Sequence, residues 1–358
     1  MTNFVKRLTV THFRHFSTQA WSFHPSVNVI LGSNGSGKTS LLEAIYFLSI
    51  GRSFRSNRLQ SLIQQSADHF TLFAEIVRED QTAKLSLQRS KNGRPIHKKD
   101  GQEINSTVEF ARWLPVLHLS PDSFQLLSAG SKQRRRLLDW GVFYAEPAFL
   151  AMWREFNRVL QQRNAALKLQ QPYEMVALWD QQFIALADQI DQLRCNYFER
   201  YRDFLCQYGQ DFLSQYEIKI RYARGWSHEK ALSAVLQENY QQDQRYGATQ
   251  YGPHRADIQF RIGTALARDI LSRGQQKRLV FLLKLAQGAC FDQHTGQRCI
   301  YLLDDVYSEF DQHNGEQVIQ QVQQQAAQSF VTAIDQQRVP ACVLSAKHEC
   351  IVLSAPGG

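Results

Sequence analysis

The sequence has no run of about 18 apolar residues, so a membrane-spanning helix of ordinary length is not expected. Its six cysteines, Cys195, Cys206, Cys290, Cys299, Cys342 and Cys350, include no CxxC pair. They make neither a zinc set nor a disulfide framework, and a reducing, cytoplasmic setting suits them. Residues 1–14 mix Lys6, Arg7 and Arg14 with alternating apolar positions. They lack the apolar stretch of a secretory signal and read as a first β-strand. Glycine and proline nearly vanish between Ala148 and Tyr240, where Trp153, Phe156, Val159 and Leu160, then Phe183, Leu186, Ile190 and Leu193, recur at helical spacing. The stretch reads as a helical lobe with a short hairpin. Its heptads are not clean and it is too short for a long coiled-coil arm.

The formal charge is +8, but its location says more than its size. From Met152 to Arg245 there are 12 Lys/Arg and 12 Asp/Glu, so the excess belongs to the rest of the chain. Three clusters stand out: Arg52, Arg55 and Arg58; Lys91, Arg94, Lys98 and Lys99; and Lys132, Arg134, Arg135 and Arg136. Such clusters suit a polyanion, either a nucleotide or a nucleic acid. Charge alone would equally describe a solvated face.

Val27 to Leu31 is a short apolar run ending at glycine, as a buried strand should. Ser40 to Ile50 reads as a helix. From Phe70 to His118, β-like runs at Leu72 to Val77, Leu85 to Gln88 and Val116 to Leu119 alternate with the turn signals Asn92-Gly93 and Asp100-Gly101, predicting a β-rich subdomain. After Gly247 the mixed character returns. The expected fold is α/β, with lobe 1–147 plus 248–358 and a helical lobe at 148–247.

Three motifs carry chemistry. Gly32-Ser33-Asn34-Gly35-Ser36-Gly37-Lys38-Thr39 fits G-x-x-x-x-G-K-[ST] in full, between an apolar strand and a helix. Glycines let backbone N–H groups turn toward phosphates, and the following helix presents its positive end to them. Lys38 can reach β- and γ-phosphates, and the Thr39 hydroxyl can ligate Mg²⁺. Cys299-Ile300-Tyr301-Leu302-Leu303-Asp304-Asp305 is an apolar strand delivering carboxylates to a sheet's C-terminal edge. Asp304 would hold the metal, and Asp305 would orient or deprotonate a water. Leu271-Ser272-Arg273-Gly274-Gln275-Gln276-Lys277 leads into a helix from Arg278 to Ala286. There Ser272 is a good N-cap and Gly274 keeps the backbone open. No N-K-x-D guanine-reading segment occurs, which favours adenine over guanine.

The order of these motifs, with S-x-G-Q ahead of the acidic strand, resembles that of ABC-type ATPases. Ser308-Glu309-Phe310-Asp311 resembles their D-loop. More narrowly, the chain resembles the RecF family. The segments that carry the resemblance are Gly51-Arg52-Ser53-Phe54-Arg55, Leu119-Ser120-Pro121-Asp122, Gln133 to Asp139, Gly252-Pro253-His254-Arg255 with Asp257, and Leu271 to Lys277 with Leu302 to Asp311. Departures are Ser131, where proline is expected, and Asp305, where ABC enzymes usually carry glutamate. No switch histidine follows the strand Phe330 to Ile334. Gln125 is a candidate Q-loop glutamine, and Ala341 to Gly358 matches nothing beyond a last strand and a tail.

The resemblance implies an ABC-type head like that of SMC proteins. Such a head binds ATP and Mg²⁺ through Gly32 to Thr39 and Asp304. It pairs with a second copy whose Ser272, Gly274 and Gln275 cap the γ-phosphate, and Lys38 and Asp305 serve slow hydrolysis. It also implies DNA at gaps and single- to double-strand junctions, with RecR, RecO and, downstream, RecA as partners. A transporter ATPase or a structural SMC-like subunit are the rival readings. The first needs a membrane partner and the second a long coiled-coil insertion.

Overall fold

Alternation of apolar and polar residues makes β1 (Asn3–Phe13) an amphipathic strand, with Val5, Leu8, Val10 and Phe13 buried. Val5 and Leu8 share a face although three residues apart, because a bulge between Val5 and Arg7 shifts the register. The computed structural model describes residues 3–310, 312–335, 339 and 348–354. The chain forms two compact units, Met1–Phe124 with Leu283–Gly358, and Gln125–Leu282.

In the first unit β1 continues into β2 (Phe16–Ser22), then β3 (Val27–Leu31), helix α1 (Lys38–Ile50), β4 (His69–Arg78), β5 (Gln81–Ser90), β6 (Ile96–Lys99), β7 (Gln102–Ile104), α2 (Val108–Trp113) and β8 (Val116–Leu119). An antiparallel sheet has the order β2-β1-β4-β5-β6-β7. The β-rich region therefore ends at Ile104. β8, expected to belong with it, is instead an edge of the second, parallel sheet.

The second unit holds α3 (Ser131–Ala145), α4 (Phe149–Lys168), α5 (Tyr173–Ala177), the 36-residue α6 (Asp180–Gln215), β9 (Ile218–Ala223), α7 (Leu232–Glu238), α8 (Tyr240–Tyr246), β10 (Asp257–Ile262), β11 (Ala265–Leu266) and α9 (Ala267–Ile270). Helix α10 (Arg273–Thr295) carries the chain back across the boundary. There β12 (Ile300–Leu303), α11 (Gln312–Gln325), β13 (Gln328–Ala333) and β14 (His348–Val352) complete the parallel sheet, ordered β14-β3-β13-β12-β8. β12 and β13 are buried along their whole length. This is why β12 reads as a continuous apolar run, and why neither strand alternates, the buried polar residues of β13 being Gln328, Ser329 and Thr332.

One apolar core joins the two sheets of the first unit around α1, with Leu41, Leu42, Ile45 and Leu48 against Phe13, Phe70, Ile300 and Phe330. The amide of Gln328 also ties the sheets. Its Nε2 donates to the carbonyls of Val5 (3.1 Å) and His24 (2.8 Å), and its Oε1 accepts from Val5 N–H (2.9 Å).

The compact units part at 124/125 and 282/283, outside the 148 and 247 suggested by composition. Buried ion pairs explain why α3 and residues 248–282 go with the long helices. Arg194 of α6 is fully buried and grips Asp139 of α3 at 2.8 and 3.0 Å and the Pro253 carbonyl at 2.6 Å. Arg163 of α4, equally buried, holds Asp180 (2.8 Å) and Asp243 (2.9 Å). Nor is the 148–247 stretch wholly helical. β9 interrupts it and pairs antiparallel with β10. Among the described residues no helix is long and apolar enough to cross a membrane.

Candidate functional site

The cradle begins where β3 ends. Gly35 and Gly37 have φ of 84° and 103°, left-handed values that favour glycine. A Cβ on Gly32 would lie 2.4 Å from Ser36 Oγ and 2.6 Å from the Leu353 carbonyl. One on Gly37 would lie 2.4 Å from the His15 ring. Gly37 N-caps α1 without a side-chain cap, and the first turn of the helix holds no acid. Its leading N–H groups and positive dipole end therefore face the loop uncompensated. Ser36 Oγ is buried there with no hydrogen-bond partner. A cradle of this shape, with an orphan hydroxyl and bare helix N–H groups, fits a phosphate chain.

Lys38 closes the loop. Its Nζ donates to the carbonyls of Gly32 (2.6 Å) and Ser33 (2.9 Å). Burial pulls its pKa below the ordinary lysine value, while Asp305 and Asp304 pull it back up.

The parallel sheet brings the acids to this loop. β13 lies between β3 and β12, so the cradle and Asp304 sit one strand apart at the same C-terminal edge. Thr39 Oγ1 donates to Asp304 Oδ1 at 3.0 Å, joining positions 265 residues apart. Thr332, near the end of β13, donates to the same oxygen at 3.0 Å, and its own oxygen accepts from Asp305 N–H at 2.8 Å. Asp304 is 6% exposed, and burial raises its pKa; the two threonines and Arg55 act the other way. Asp305 is exposed and has φ 51°. Few side chains tolerate that region, and aspartate is one of them, which gives a local reason for aspartate rather than glutamate there. Among the described residues no three His, Cys, Asp or Glu side chains cluster as a protein-only metal cage. One carboxylate and one hydroxyl beside a phosphate cradle are instead the usual protein share of a Mg²⁺ shell.

Two groups that brace this site had no motif to announce them. Glu43, fully buried on α1, takes Arg14 Nε at 2.7 Å and Nη2 at 2.6 Å, and also accepts from Ser53 Oγ. Ser53 in turn accepts from the N–H groups of Arg55 and Ser56, both at 2.9 Å. Phe54 stacks on His118 at 3.8 Å. The loop Gly51 to Arg58 is thus pinned from beneath. Arg52, Arg55 and Arg58 are exposed, and none of their guanidinium groups forms a hydrogen bond or ion pair among the described residues. The signal available beforehand was a glutamate inside an apolar helix. The other missed group is Thr332, a lone hydroxyl in the run Phe330 to Ala333.

The basic run at 132–136 is different. Arg134 is bidentate on Asp257 (2.7 and 3.1 Å), and Arg135 bonds the Ala256 carbonyl at 2.6 Å. Half of that cluster is internal wiring. In the cluster from Lys91 to Lys99, Lys91, Arg94 and Lys99 each meet a surface acid, Asp68, Glu103 and Glu109 respectively.

The S-x-G-Q segment belongs to the second unit. It is a capping box: Ser272 N–H donates to Gln275 Oε1 (2.7 Å), and Gln275 N–H donates to Ser272 Oγ (3.3 Å). Gln275 Nε2 donates to the Tyr216 hydroxyl at 2.8 Å, just past α6. α10 thus starts at Arg273, five residues earlier than the helix expected from Arg278. Gln125, the first residue of the second unit, lies in the six-residue 3₁₀ segment Pro121–Leu126. Asp311 and most of Ala341 to Gly358 lie outside the described residues; β14 supplies the expected last strand, parallel to β3.

With this geometry in place, comparison with known proteins is decisive. The model of the RecF/RecN/SMC N-terminal domain matches residues 4–348. A curated relative from Shewanella oneidensis, "DNA replication and repair protein RecF", is 39% identical over 96% of this chain and 94% of its own length. The chain belongs to the RecF family. Its counterpart in Shewanella piezotolerans is also 39% identical, over 92% of both chains. A solved structure of "the recombination mediator protein RecF-ATP in RecFOR pathway" superposes with TM-score 0.86 at 26% identity, covering 95% of this chain and 94% of that one. An SMC head from Pyrococcus furiosus, at 16% identity and TM-score 0.55, shares the fold. The α/β architecture is thus that of a RecF and SMC-type ABC head.

Proposed function

We propose that this RecF-family chain binds ATP with Mg²⁺ and pairs with a second copy around the nucleotide. In that state it binds DNA in replication and recombinational repair. The observation that carries the reading is Asp304 tied to Thr39 at 3.0 Å beside Lys38 and the glycine cradle. Backbone N–H groups of Gly32 to Thr39 and the Ser36 hydroxyl hold the phosphates. Lys38 exchanges its two loop carbonyls for phosphate oxygens. Thr39 and Asp304 would hold Mg²⁺, which would supply positive charge against the phosphates. Asp305 positions or deprotonates a water. It is one carbon shorter than glutamate, so turnover is slow. An open cavity of about 550 Å³, lined by Arg14, His15, Gln64, Gln65 and Ser66, borders the cradle through His15 and offers room for the nucleoside end.

Ser272, Gly274 and Gln275 cap the γ-phosphate of a second copy, the helix start serving as the anion site. The exposed Arg52, Arg55 and Arg58 supply phosphate contacts to DNA, so binding is salt-dependent and led by shape and charge. One solved relative is described as a mediator in the RecFOR pathway. By that likeness the protein acts in the cytoplasm with RecO and RecR, helping a recombinase of the RecA kind to load at single-strand gaps.

Sedimentation with and without ATP and Mg²⁺, across concentrations spanning the dimer's dissociation constant, tests pairing. Dimer should appear only with both and vanish in Lys38→Ala. An unchanged monomer fraction would refute it. Gapped DNA should bind more tightly than blunt duplex in the ATP state; no DNA binding at all would sink the repair reading.

A further inference from the structure

The charge-neutral stretch of the second unit conceals a cationic surface. β9 and β10 pair so that Lys219 is directly opposite Arg261, and Arg221 opposite Gln259. The intervening positions, Ile218 on β9 and Ile258 and Phe260 on β10, are buried. Side chains alternate across a strand, so the three cations share the outward face. Lys219 and Arg221 are exposed, and neither side chain forms a hydrogen bond or ion pair among the described residues. Arg261 is held extended along the strand end by the Thr264 carbonyl at 2.7 Å. The sole acid in the paired register of this face is Asp257, and the bidentate Arg134 neutralises it.

Like charges directly opposite each other on a sheet oppose folding. Lys219 and Arg261 therefore oppose each other; Arg261 also donates to Gln259 Oε1 at 3.4 Å, but among the described residues no acid is paired with either side chain. An external polyanion would offset that repulsion. Lys219 and Arg221 stand two strand residues apart, about 7 Å, and Arg261 lies one strand over. That array suits successive phosphates of one nucleic-acid strand. It has no aromatic platform for bases, so the contact is to the backbone.

We infer that the outward face of β9 and β10 is a DNA-backbone site, distinct from the arginines of residues 52–58. This rests on the DNA-binding reading above and adds a second surface to it. The test uses the full-length protein with ATPγS and Mg²⁺, a fluorescein-labelled gapped duplex, and anisotropy titrations from low to moderate salt. Lys219→Gln/Arg221→Gln should weaken binding by roughly 10-fold at 0.1 M salt. It should also flatten the slope of log affinity against log salt by about 2, one for each lost phosphate contact. The variant should bind ATPγS as the parent does and melt at the parent's temperature or above, because a repulsion has been removed. Parent affinity and parent slope in this variant would overturn the site while leaving the DNA reading intact. A cationic face that instead serves an acidic protein would give that same result. Failure of the parent itself to bind any DNA would overturn the DNA reading and this face with it.

Discussion

Two sets of glycines in this chain look alike in sequence and differ in what requires them. In the cradle, the chain itself demands glycine. Gly37 has φ 103°, and a side chain would run into His15. In the S-x-G-Q segment of the other unit, nothing lies within 4 Å of the Cβ site of Gly274, and its backbone is not left-handed. A helix-start position with open space has no internal need of glycine, and alanine would suit the helix better. The first kind of glycine builds a site; the second leaves room for something outside the chain. That difference is the physical argument for reading Ser272 to Gln275 as half of an intermolecular site.

Exchanging both glycines for alanine gives the largest contrast. Gly37→Ala should cost roughly 2–5 kcal/mol, from the left-handed backbone plus overpacking against His15. It should also abolish ATP binding. Gly274→Ala should leave thermal stability unchanged or raise it by up to about 1 kcal/mol. It should keep ATP binding and lose ATP-dependent pairing. Differential scanning calorimetry, nucleotide titration and sedimentation read the three quantities. A Gly274→Ala protein that pairs like its parent would remove the intermolecular argument.

The same contrast applies to the acids. Asp304 is buried with its pKa raised, chiefly by desolvation. A carboxyl that binds its proton more tightly when folded favours folding most at low pH. That favour is lost as pH rises from the unfolded value through the folded one. Wherever it is ionised, Asp304 therefore opposes folding. Asp304→Asn should melt at or above the parent's temperature, with a shallower decline of stability above pH 4. The gain in nucleotide affinity from Mg²⁺ should shrink by roughly 10–100-fold. A variant that melts lower at pH 7 while retaining the Mg²⁺ effect would show Asp304 to be structural.

Much of this was readable from residue order alone, for a definite reason. The cradle is a local object: eight consecutive residues, a strand before and a helix after. The motif also states its own backbone geometry. Asp304 and Asp305 were legible as candidates because an apolar run ending in acid, taken together with the phosphate-loop motif, suits a buried strand reaching a sheet edge. What was hidden is long-range. Thr332 meets Asp304 only because β13 inserts between β3 and β12. Glu43, Arg14 and Ser53 meet only because α1 packs under β1 and the following loop. Arg134 and Arg135 looked like surface charge because their acceptors, Asp257 and the Ala256 carbonyl, lie more than a hundred residues away. β9 was overlooked although Ile218-Lys219-Ile220-Arg221-Tyr222 alternates cleanly. Its flanks are helical, and a six-residue period-2 pattern is a small signal among them.

The smallest expected effect probes how the signature is held. Gln275 performs two tasks with one amide: Oε1 caps Ser272 N–H, and Nε2 is anchored on the Tyr216 hydroxyl. The anchor fixes which way the amide points, leaving the oxygen for the cap. Without it the amide can turn over, present Nε2 to Ser272 N–H, and loosen the first turn of α10. Tyr216→Phe removes one partly buried hydrogen bond, worth about 1 kcal/mol. It touches neither the cradle nor the acids, so monomer affinity for ATP should stay at the parent value. The ATP-dependent dimer should dissociate about 2–5-fold faster, the range for a loss of up to about 1 kcal/mol. A Gln275→Glu change in the Tyr216→Phe background keeps the capping oxygens without needing an anchor and should restore the helix start but not the dimer. Equal dissociation rates for Tyr216→Phe and parent would mean that the capping box alone orients the signature, and that the end of α6 takes no part in pairing.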